Sequence, residues 1–247
     1  MAINVVFGGA VVYLLWEKRK SLRLQSGIFP SLLGLSIIIS ILLKSLFVLK
    51  HPMINGWLLL SPFLIGLSLA LLASGFRGLS QYRRELLLLF FLGMPKLLLR
   101  ALPIDFAVFT AKSAVFFLWY MGFEVAHQDV DIRLPAGTVE VFPDCSGIES
   151  MAYMLSLAVL VSGLLSLSWS KSALVTGVAT LIGFMVNAVR VALMAVLVAG
   201  SQRDAFEYWH EGSGSLIFSM ISVLLFSLFC FFLLRQDELV RREDRQF

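Results

Sequence analysis

In VFPDCSGIES, residues 141–150, a thiol stands where an extended run meets what reads as the start of an apolar helix. Ser146 and Glu149 have the spacing of a capping box, in which the serine bonds into the first helical turn and the glutamate bonds back. That spacing predicts Cys145 at a helix N-terminus, where unpaired N–H groups and the positive end of the dipole favour a thiolate, the form of cysteine that attacks a carbonyl carbon. The preceding Asp144 opposes this with an adjacent negative charge. The chain's other cysteine, Cys230, lies inside SVLLFSLFCFFLL and reads as a small side chain in an apolar helix, so no disulfide joins the two.

Two further residues supply what a cysteine nucleophile needs. Arg190, in LIGFMVNAVRVALMAVLVAG, lies about nine residues short of the end of its apolar run, on the order of 14 Å deep at helical rise. A guanidinium at that depth costs at least about 2.5 kcal/mol on insertion scales, which marks it as functional by default. Gly183, Asn187 and Arg190 follow at spacings of four and three and so share one helix face, a close-packed polar stripe turned toward other helices. His210, in EYWHEGSGS, is the remaining piece, with Glu207 one turn earlier in position to orient its ring. Thiol, imidazole and guanidinium make a nucleophile, a proton carrier and a fixed charge for an oxyanion. His51 and His127 read as ordinary surface residues.

The elements that must bring these groups together are membrane helices. Hydrophobic residues make up 59% of the 247, charged residues only 15%, and 21 are Phe, so the chain leaves water on all sides of its helices. The net charge of +4 comes from basic clusters in short loops between apolar runs, which fits membrane orientation and excludes nucleic-acid binding. Ala2 to Trp16 reads as a short retained anchor followed by EKRKSLR, not as a cleaved signal. Spans follow at Ile28 to Phe47, at Trp57 to Ser74 and from Leu86 to near Pro103, then at Gly147 to Leu167, Ala173 to Ala199 and Leu216 to Leu234. The expected fold is an all-α polytopic membrane protein of about seven to eight transmembrane helices, one integral membrane domain over residues 1–247 with its motif-bearing core at about 85–234.

Charge placement sets the expected orientation. The basic tail at 235–247 and Lys171 fall on the cytoplasmic side, and Cys145 and His210 on the outer side. Asp105 to Phe123 must then begin and end outside, so it reads as an interfacial or re-entrant helix. Within the outer loop at 124–143, Val130, Ile132 and Leu134 alternate with Asp131 and Arg133, Pro135 to Gly137 supply a turn, and Val139 and Val141 flank Glu140, which predicts a β-hairpin. Lys96 and Arg100, one turn apart in the fourth run, are positioned either to receive a substrate carboxylate or to snorkel to the headgroups.

DCSGIES, NAVRVAL and the histidine of YWHEG, in that order and with a hairpin before the first, resemble the motifs of the exosortase and archaeosortase family of membrane transpeptidases. The resemblance implies Cys145 as nucleophile, Arg190 as transition-state stabiliser and His210 as proton-transfer residue, with Asn187 in support and neither cofactor nor metal. It further implies substrates that are secreted proteins whose C-terminal tail carries a short motif, often Pro-Glu-Pro, before a transmembrane helix and a basic cluster. Such a protein would sit in the cytoplasmic (inner) membrane and pass its acyl group to an acceptor amine or to water. Two other classes compete: a transporter or scaffold in which Arg190 pairs with Glu149, and a metal site built from Cys145, His127 and His210, whose scattered spacing matches no common ligand signature.

Overall fold

In a computed structural model that describes residues 2–48, 59–165, 167–210 and 212–243, the chain is mostly helical with one small sheet. His51, the start of the third apolar run at Trp57 and the last four residues of the tail lie outside the described residues. The helices are α1 (Ala2–Glu17), α2 (Ile28–Val48), α3 (Ser61–Gly78), α4 (Arg83–Ala101), α5 (Phe106–Tyr120), α6 (Ile148–Leu164), α7 (Trp169–Ala199), α8 (Arg203–His210) and α9 (Ser215–Glu243). Short 3₁₀ turns at Leu79–Tyr82 and Pro143–Cys145 precede α4 and α6.

Among the described residues five helical stretches are long and apolar enough to cross a membrane, against the seven to eight expected: Ile28–Leu46, Ser61–Ala101, Pro143–Leu164, Trp169–Ala199 and Ser215–Gln236. The second holds two of the expected spans. α3 and α4 fold back on each other at the Leu79–Tyr82 turn, where Ser74 and Tyr82 share a hydrogen bond of 2.8 Å, and further along the pair Phe63 meets Phe90 edge-on at 5.4 Å. α1, at 16 residues, is about 24 Å long and shorter than a bilayer core of roughly 30 Å.

The chain divides into two compact units: residues 1–101 with 159–167, and residues 102–158 with 168–247. In the first, Lys18, just past α1, pairs at 2.7 Å with the buried Glu85 of α4, so part of the basic cluster after α1 is tied down by an acidic partner. Lys96 and Arg100 belong to this unit, on α4, with Lys96 half-buried and Arg100 exposed.

The second unit is organised on α7. α5 stands alongside it and runs in the same direction: Ile104, Phe106 and Phe109 share an apolar cavity with Gly177, Thr180, Leu181 and Phe184, while Ala111, Ala114 and Leu118 share a core with Val191, Ala192 and Ala195. α5 begins beside the middle of α7 rather than at its end, so the two helices lie close along the second half of α7. The physical reason is the stripe Ala107, Ala111, Ala114, whose small side chains at helical spacing let the two backbones approach. Asp105 starts the helix by accepting from the backbone N–H groups of Ala107 and Val108. At 15 residues α5 is about 22 Å long, too short for a full crossing.

The expected hairpin is present and gains a strand. β1 (Ala126–Gln128), β2 (Asp131–Leu134) and β3 (Gly137–Glu140) form an antiparallel sheet in that order, with Ile132 opposite Val139 and the Pro135-Ala136 turn between Leu134 and Gly137. Ile132 is fully buried against the α5–α7 core, as the alternation requires. The sheet therefore ties the end of α5 to the turn that carries the cysteine, and Val141 N–H closes onto the Val130 carbonyl at 3.0 Å.

Candidate active site

Pro143 opens the turn before α6 with a φ already suited to it, and the Cys145 N–H donates to the Phe142 carbonyl at 2.8 Å. Ser146 closes the turn: its Oγ donates to the Pro143 carbonyl at 2.5 Å. The expected capping box is therefore not formed. Ser146 is spent on the turn behind it, and Glu149 is exposed and accepts from Tyr153 Oη at 3.0 Å. Gly147, between turn and helix, holds φ at +82°, a left-handed step that glycine takes without strain. Cys145 thus stands on the turn leading into α6, three residues ahead of its first residue.

α7 passes behind this turn. Gly183 lets it come close, since a Cβ there would lie 2.9 Å from the Ser150 carbonyl oxygen. One turn on, the buried Asn187 donates from Nδ2 to the Cys145 carbonyl at 2.9 Å. Arg190, three residues further, donates from Nη2 to the carbonyl of His210 at 2.7 Å, while its buried Nε has no hydrogen-bond partner. The bond to His210 has a local cause: His210 ends α8, its carbonyl has lost its intrahelical partner, and a guanidinium satisfies both that carbonyl and the negative end of the helix.

The histidine ring lands on the thiol. His210 Nε2 lies 3.6 Å from Cys145 Sγ, within sulfur–nitrogen hydrogen-bond reach, and both side chains are half-buried. Phe206, one turn earlier on α8, stacks on the imidazole with centroids 5.0 Å apart and planes 13° from parallel. Glu207, expected to orient the ring, is exposed and accepts from Arg203 Nε at 3.3 Å, while the face of Phe206 lies along the ring plane.

Of the residues singled out in the sequence, Cys145, Arg190, His210, Asn187 and Ser146 come together here. Glu149 and Glu207 turn to other partners, Lys96 and Arg100 lie in the other unit, and His127 is exposed on β1. Thr110 of α5 belongs to the cluster and was not legible as such: fully buried, it donates from Oγ1 to the Ser146 carbonyl at 2.8 Å. Its only signal is that it is the one hydroxyl in the stripe Ala107, Thr110, Ala111, Ala114, Leu118. Phe206 carried a similar faint signal, sitting four residues before His210.

Long apolar helices, one end of which gathers a cysteine, a histidine and an arginine, define an integral membrane protein. The family model for the transmembrane exosortases (Exosortase_EpsH) matches residues 2–227, and the chain belongs to this family. No curated protein and no solved structure matches it.

Proposed function

We propose that this chain is a membrane cysteine transpeptidase that cleaves C-terminal sorting signals of exported proteins through a thioester on Cys145. His210 takes the thiol proton, and the sulfur attacks the scissile carbonyl to give a tetrahedral oxyanion. Arg190 stabilises that anion, and His210 then returns the proton to the leaving amine as the C–N bond breaks. An acceptor amine or water next attacks the thioester, gives its proton to His210 and releases the thiol. The substrates are proteins ending in a short motif of the Pro-Glu-Pro kind, an apolar span and a basic cluster, and the enzyme works at the outer face of the cytoplasmic membrane.

The observation that carries this reading is the 3.6 Å approach of His210 Nε2 to Cys145 Sγ, held by an arginine that keeps an unpartnered buried Nε beside the pair. A guanidinium offers five N–H donors, so one bond to the His210 carbonyl leaves others for an oxyanion. The competing structural role for Arg190, an ion pair with Glu149, is less well supported, because Arg190 donates to His210 and Glu149 accepts from Tyr153. The test is to co-express an exported reporter bearing such a tail with the wild type or with Cys145→Ala. Wild type should shorten the reporter and Cys145→Ala should leave it full length in the membrane; shortening by both ends the proposal.

A further inference from the structure

A hydroxyl buried on a helix has a cheap local partner, the carbonyl one turn earlier. Ser68, Ser156, Ser222 and the half-buried Thr180 take it, donating to the carbonyls of Leu64, Ala152, Phe218 and Thr176, whereas Ser74 bonds the nearby Tyr82 hydroxyl and Ser162 Oγ has no partner. Thr110 does not take it. Fully buried on α5, it reaches to the Ser146 carbonyl, 36 residues away in the chain. The adjacent carbonyl, that of Cys145, is taken by Asn187 of α7. Two successive peptide groups of the nucleophile's turn are therefore gripped by side chains from two different helices.

The grip bears on where the sulfur rests. The peptide ahead of Cys145 is tied through its N–H to Phe142, and the one behind it through its carbonyl to Asn187. Thr110 fixes the next peptide, at the point where Gly147 swings to φ +82°, and Asn187 fills the space on Gly147 that a Cβ would need, 2.9 Å from Nδ2. With the backbone set on both sides, rotation about χ1 is what remains to place Sγ. We propose that Thr110 is a positioning residue which, together with Asn187, clamps the cysteine turn so that Sγ stays within reach of His210. This rests on the reading of Cys145 and His210 as a working pair.

The test reads the thiol and needs no substrate. In the full-length protein, with Cys230→Ser making Cys145 the only cysteine, the rate of alkylation by iodoacetamide is measured by mass spectrometry with His210 present and with His210→Ala. If the pair is coupled, His210→Ala should slow alkylation about tenfold at neutral pH, and in Thr110→Val the same change should shift the rate by less than about twofold. Thr110→Ser, which restores the donor, should recover the wild-type dependence on His210. Where Thr110→Val does not accumulate in the membrane, Thr110→Ala carries the comparison. A Thr110→Val protein with the full His210 dependence overturns the proposal, and so does a wild type indifferent to His210. A chain that processes no sorting signal yet shows the Thr110-dependent coupling keeps this inference and sinks the transpeptidase reading; a processing-competent chain without it does the reverse.

Discussion

At the scale of single residues the site depends on geometry that a charge alone cannot replace. Arg190 donates to the His210 carbonyl while offering further N–H groups from the same planar head, and lysine, with one ammonium on a flexible stem, cannot hold both positions at once. On the proposed mechanism, Arg190→Lys is therefore expected to retain the protein in the membrane but lower turnover of a sorting-signal reporter by about 100-fold or more, the cost of losing an oxyanion donor. Near-normal turnover in Arg190→Lys, measured as initial rate in purified protein, would show that only the positive charge matters. That these residues meet was legible because cysteine at a turn, arginine deep in an apolar run and histidine after it are each costly or rare in that setting. Their partners were not. A carboxylate near a histidine is the usual orienting group, yet Glu207 lies on the exposed face of α8 and the ring leans on Phe206, a choice set by which face of a short helix packs inward.

At the scale of elements, periodicity reported strands better than it reported short helices. The alternation Val130, Ile132, Leu134 with a Pro-Ala turn gave β2 and β3, whereas β1, only Ala126–Gln128, is too short to alternate visibly and is created by pairing with β2. α5 was harder still: apolar nearly all round, it has no face that sequence can assign, and its position was set instead by the alanine stripe meeting α7. The start of α5 should then matter to the site through Thr110. Asp105 caps it with bonds to Ala107 and Val108, and Asp105→Ala should cost about 0.5–2 kcal/mol of stability. In detergent this appears as a lowered apparent melting temperature, while Asp105→Asn, which caps equally well, should leave it unchanged. Equal melting of all three proteins would place the start of α5 elsewhere than at this cap.

At the scale of the whole molecule, composition alone established a membrane protein, and among the described residues five helical stretches are long and apolar enough to cross, one of them holding two of the expected spans. A hydropathy run gives length without direction, so two runs joined by a tight turn, such as α3 and α4, merge into one stretch or separate into two according to how the turn is read. α6 and α7 avoid this ambiguity, because each is a continuous apolar helix and their packing pairs Gly183 with Ser150 and Asn187 with Cys145, which makes them antiparallel. The hairpin turn at Ala136 must then lie on the opposite side of the membrane from Ser170, where α7 begins. In a background of Cys145→Ala with Cys230→Ser, Ala136→Cys should react with a membrane-impermeant maleimide in intact spheroplasts, and Ser170→Cys only after permeabilisation. Both positions are exposed, so failure to react reports sidedness rather than burial. Labelling of both from outside would break the antiparallel pair of crossings, and labelling of Ser170→Cys alone would invert the molecule and put the thiol–imidazole pair on the face where exported substrates are never found.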